Sequence, residues 1–84
     1  MTGNQIQTIL VNGIENADTI AIHLMDDTIR QYRTSDSKLK YYLNDEMIKI
    51  EGLNFIEGKY IEYIDFKSII RIKLYFHEVG GDAE

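Results

Sequence analysis

Residues 60–76, YIEYIDFKSIIRIKLYF, hold the densest run of apolar and β-branched side chains in the chain, broken once by the polar DFKS segment. Ile64, Phe66, Ile70, Ile72, Leu74 and Phe76 share one parity, while Tyr63, Asp65, Lys67, Arg71, Lys73, Tyr75 and His77 take the other. A period of two with apolar residues on one side is the pattern of a strand half-buried against a core. The short polar break predicts two strands joined by about one 3₁₀ turn. This stretch points to a fold class but to no function.

Working outward, Asp18 to Met25 (DTIAIHLM) also alternates, with Ile20, Ile22 and Leu24 on one side and Thr19, Ala21, His23 and Met25 on the other. Asp26-Asp27 reads as a two-residue turn and Thr28 to Arg33 as the return strand. The alternation of that return strand is poor, which predicts a bulge or a strong bend. Residues 34–37 (TSDS) are loop by composition. Lys38 to Leu43 (KLKYYL) reads as a strand or as the end of a long bent one. Met47 to Glu51 (MIKIE) is a short strand with Ile48 and Ile50 inward. Glu57-Gly58 is a hairpin turn in which glycine can take positive φ.

Residues 1–13 are ambiguous. Ile6, Ile9 and Leu10 at i, i+3, i+4, with Asn4 as N-cap and Gly13 following, suit a two-turn helix. The β-branched Thr8, Ile9 and Val11 suit a strand, and the helix is only slightly ahead. The expected domain is residues 1–76, with 77–84 a flexible acidic tail. The predicted core is Ile6, Leu10, Ile20, Ile22, Leu24, Ile29, Ile48, Ile50, Ile64, Phe66, Ile70, Ile72 and Leu74.

At 84 residues the chain is one small domain near the limit at which a single core suffices. It has no cysteine to reinforce that core by a disulfide or a thiolate metal site. Stability must then come from close packing or from a partner subunit. The missing cysteines fit a reducing cytoplasm, and no apolar run approaches a bilayer span, so a cytoplasmic chain without membrane contact is expected. An isoleucine-rich, tyrosine-rich composition without proline favours strands and suits an AT-rich bacterial or phage genome.

The formal charge of -5 is unevenly spread. Residues 1–29 contain no Lys or Arg, whereas Arg30, Arg33, Lys38 and Lys40 make the following stretch basic, and Lys67, Arg71 and Lys73 form a second basic group. Net acidity argues against non-specific binding of a polyanion, although a local basic patch can survive it.

The order helix, strand 18–25, strand 28–34, strand 47–51, strand 59–65, 3₁₀ turn, strand 69–76 resembles the small SH3-like barrels, among them the Sm-like ring proteins. Two stretches carry the likeness: DTIAIHLMDDTI, similar to the first hairpin, and YIDFKSIIRI, similar to the bend between the last two strands. They cover about a third of the chain. The resemblance implies a small barrel and an oligonucleotide- or nucleotide-binding alternative. The chain departs from it in having no glycine between Thr28 and Ser37, in the additional residues Lys38 to Glu46, and in the character of Asp65-Phe66-Lys67-Ser68.

The expected fold is therefore mainly β: a small, strongly bent antiparallel sheet or an SH3-like (Sm-like) barrel, with at most one short N-terminal helix. No nucleophile, phosphate-loop or metal spacing is present, and His23 and His77 lie in no ligand pattern, so no catalytic residue, cofactor or metal is assigned. The leading expectation is a non-enzymatic interaction module that binds itself or another protein. Its interface candidates are Tyr60, Tyr63, Ile69 and Tyr75, because more apolar residues are present than a core this small can cover and an unpaired last strand invites association. The nucleic-acid alternative would use Arg30, Tyr32, Arg33, Lys38 and Lys40, which interleave charge with aromatics. A third reading, an acidic phage-type inhibitor of a host protein, requires Glu15, Asp18, Asp26, Asp27, Asp45 and Glu46 to share a face.

Overall fold

A computed structural model describes residues 1–76; the expected tail at 77–84, and with it His77, lies outside the described residues. The order is α1 (Gly3–Asn16), β1 (Thr19–Leu24), β2 (Ile29–Arg33), β3 (Ser37–Leu43), β4 (Met47–Asn54), β5 (Gly58–Asp65), a 3₁₀ turn (Phe66–Ser68) and β6 (Ile69–Tyr75). All strand pairs are antiparallel, in two three-stranded sheets ordered β2-β1-β6 and β3-β4-β5. The sheets do not close into a barrel, so the bent-sheet form of the expectation holds.

The N-terminal ambiguity resolves as helix, longer than the spacing suggested. Thr2, not Asn4, is the N-cap, and it forms a capping box with Gln5: Gln5 N donates to Thr2 Oγ1 at 3.2 Å and Thr2 N donates to Gln5 Oε1 at 3.0 Å. Gly13 does not end the helix. It lies buried inside it, where a β-carbon would come within 2.7 Å of Leu74 Cδ2, so glycine is what lets α1 approach β6 closely. The apolar stripe Ile6, Leu10 and Gly13 faces the sheets, and Ala17 caps the helix by donating to Gly13 O at 2.9 Å.

β2 and β3 are two halves of one bent path. The bend at Thr34–Asp36 is tied to the residues before β1, with Thr34 N donating to Asp18 O at 3.0 Å and Thr34 Oγ1 to Ala17 O at 2.6 Å. In a segment without glycine, Lys38 supplies the left-handed residue (φ 59°), and the ladder with β4 is irregular between Ser37 and Lys40. Most of the segment read as additional, 38–46, is therefore β3 itself. At the β1–β2 turn the loop is longer than two residues: Leu24 N donates to Thr28 O at 2.9 Å, and Asp27 takes φ 69°.

Ile6, Leu10, Ile22 and Ile48 are fully enclosed at the centre of the core. Each contributes about 1.5–3 kcal/mol relative to an exposed side chain. Two predicted core residues are corrected. Ile29 pairs with His23 on the outward side, because the inward positions of β2 hold Arg30 and Tyr32. Ile70 is 54% exposed while Ile69 is 3% exposed. The pairing shifts between His23 and Leu24, so that Leu24 meets Ile69 and Ile22 meets Ile72. One extra residue at the start of β6 turns Ile69 rather than Ile70 inward, while Ile72 and Leu74 keep the inward side read from sequence.

Candidate functional site

The inner surfaces of the two sheets are apolar in the middle and polar at one end. Going along β5, the inward positions run Ile64, Glu62, Tyr60, opposite Ile48, Ile50 and Gly52 of β4. Those of β2 are Arg30 and Tyr32. At the polar end Tyr32 donates its hydroxyl to Glu62 at 2.5 Å, Arg30 contacts the same carboxylate at 3.2 Å, and Tyr60 donates to Asp36 at 2.8 Å. The two rings lie 6.3 Å apart. Burial, followed by the carboxylate each phenol faces, pushes both Tyr32 and Tyr60 above the ordinary tyrosine range. At neutral pH both are protonated donors that bind β5 to the bent strand.

This network takes up two of the nucleic-acid candidates, Arg30 and Tyr32. Arg33 lies outward on β2, and Lys38 and Lys40 lie exposed on β3. The five do not share a surface. Lys38 and Lys40 instead line a cleft of about 230 Å³ with Glu51, Gly52, Leu53 and Lys59. Lys59 was missed because only the β4–β5 register, set by Gly58 at φ 75°, brings it opposite Leu53.

The interface candidates also divide. Ile69 is buried in the core, and Tyr60 is half-buried with its hydroxyl held by Asp36. Tyr63 on β5 is 63% exposed and Tyr75 on β6 is 48% exposed. Ile61 and Ile70 are exposed on the same two strands. Among the described residues, β5 and β3 are the edges of one sheet and β6 and β2 the edges of the other, each with a single ladder partner. Beyond them, the β4–β5 turn presents Phe55 and Ile56 to solvent, shaped by Asn54 Oδ1 accepting from Ile56 N at 3.0 Å and Glu57 N at 2.7 Å.

Comparison with known proteins adds no identity. No family model, curated protein or solved structure matches the chain.

The acids required by the inhibitor reading are split between two ends of the molecule. Asp45 and Glu46 line a hollow with Met1 and Thr2 at the start of α1, whereas Glu15 and Asp18 flank its other end. A helix of 14 residues separates them, which at 1.5 Å per residue is about 20 Å. Among the described residues no group of three or more His, Asp or Glu side chains is arranged to hold a metal ion, and no helix is long and apolar enough to cross a membrane. His23 lies on the outer side of β1, with Ile29 to one side and Arg71 to the other, and its Nε2 is enclosed without a hydrogen-bond partner. Desolvation, reinforced by Arg71 and Lys73, lowers its pKa.

Proposed function

We propose that the protein is a non-enzymatic interaction module that self-assembles through its strand edges, β5 of one copy lying beside β6 of the next. The observation that carries this reading is that, of the four edge strands β2, β3, β5 and β6, β5 and β6 each carry two exposed large apolar side chains (Ile61 and Tyr63, Ile70 and Tyr75), whereas β2 and β3 carry one each. A row of unsatisfied main-chain donors and acceptors beside apolar surface is a template for a further strand. Because the two edges belong to different strands, the contact is heterologous and generates a closed ring or a filament. Assembly would also cover Ile70 and Tyr75 of β6, which a core this small leaves outside. The Sm-like resemblance in element order fits the same reading.

The test is the mass in solution of wild type and of Ile70→Lys/Tyr75→Lys. Both side chains are exposed, so the variant should keep its circular dichroism and melting profile. It is expected to run as a folded monomer. A folded variant that retains the wild-type oligomeric mass would exclude the β6 edge.

A further inference from the structure

We infer that the outward face of the β3-β4-β5 sheet binds single-stranded nucleic acid. Four cross-strand rows define this face, the first of them Met47 and Asp65. Tyr42, Lys49 and Tyr63 form the second row; Lys40, Glu51 and Ile61 form the third; Leu53 and Lys59 form the fourth, with Lys38 beside them across the irregular part of the ladder. Strand spacing places the two tyrosines about 10 Å apart, and successive rows lie about 7 Å apart. Lys49 sits between the rings, its Nζ 5.2 Å from the centroid of Tyr42. Four lysines thus share a surface with two exposed tyrosines and two carboxylates, Glu51 and Asp65. By sequence, the other five cations are set against the other twelve acids.

Single-stranded nucleic acid fits this combination. Exposed rings stack unpaired bases of any sequence, and ammonium groups one row away meet the phosphates. An acidic peptide would use the lysines and leave the rings idle. A duplex hides its base faces from a flat sheet. The acids of the remaining surface confine the contact to a few nucleotides, because a longer strand would run into repulsion. None of the residues in these rows belongs to the Arg30–Tyr32–Glu62 network, and the inference does not depend on self-assembly.

The experiment is fluorescence anisotropy of a short labelled oligothymidylate, titrated with the full chain over a series of salt concentrations. With three to four phosphates neutralised, the logarithm of the affinity should fall against the logarithm of salt with a slope of about -2 to -3. Tyr42→Leu and Tyr63→Leu should each weaken binding about tenfold at constant slope. Lys40→Gln/Lys59→Gln should weaken it and reduce the slope by about 1.4. All of these side chains point outward, so melting profiles should be unchanged, and light scattering of Tyr63→Leu separates loss of binding from loss of assembly. The inference is overturned by absence of binding at low salt or by equal affinity for the matching duplex. It is also overturned if polyglutamate competes equally while both tyrosine variants bind like wild type.

Discussion

Gly52→Ala tests the polar end of the core most sharply. Gly52 lies on β4 directly opposite Tyr60 of β5, and the tyrosine ring lies across the space a side chain would fill. A β-carbon at position 52 would approach Tyr60 Cζ to 2.7 Å, well inside van der Waals contact. The ring must therefore swing away, and it cannot do so and keep its 2.8 Å hydrogen bond to Asp36. A hydrogen bond to a charged acceptor contributes about 1.5–3 kcal/mol. The group is only partly buried, which places the expected loss at the lower end of that range, about 1.5 kcal/mol. For a domain of this size such a loss lowers the melting temperature by about 6–12 °C. Thermal and urea unfolding followed by circular dichroism measure it. In a Tyr60→Leu background the second substitution should have little effect, since the obstructing ring and its bond are already gone. A Gly52→Ala variant within about 0.5 kcal/mol of wild type, or an equal loss in both backgrounds, would refute the reasoning.

Ile69→Ala should cost about 2–5 kcal/mol in urea unfolding and Ile70→Ala less than 1, because the bulge turns the first inward and the second outward. Thr2→Ala removes the hydroxyl half of the capping box and should cost about 1 kcal/mol, read as a lower urea midpoint at unchanged m. His23 binds its proton less readily folded than unfolded, so the unfolded state holds more protons below pH 6.5. Stability should fall as pH drops below that value, and the fall in melting temperature should flatten in His23→Gln. Tyr32→Phe and Tyr60→Phe should leave the 295 nm titration of the folded protein near pH 10 unaltered, while each removes one phenol from the titration in denaturant.

The mainly β class, the first hairpin, the 3₁₀ corner and most of the core were legible in sequence because they rest on local periodicity. Ile20, Ile22, Leu24, Ile48, Ile50 and Ile64 alternate and are buried as the pattern requires. The misreadings arise where pairing overrides pattern. The β6 bulge lies in the ladder with β1, so no count along residues 60–76 alone could place Ile69 rather than Ile70 inside. β2 looked irregular because two of its inward positions hold Arg30 and Tyr32, whose shared partner Glu62 is about thirty residues away in sequence. Gly13 looked like a helix end because glycine usually marks one; here it marks the closest approach of α1 to Leu74. The lysines of the outward face come from three strands and could be assembled only from cross-strand register, which brings Lys40 beside Glu51 and Lys49 beside Tyr63.

Self-association through β5 and β6 is the central claim, and light scattering coupled to size exclusion tests it most directly. The account predicts a mass that is a fixed multiple of the 9.8 kDa chain, or a concentration-dependent series of such multiples, collapsing to one chain in Ile70→Lys/Tyr75→Lys. A wild-type protein that elutes as a single 9.8 kDa chain at every concentration would contradict it.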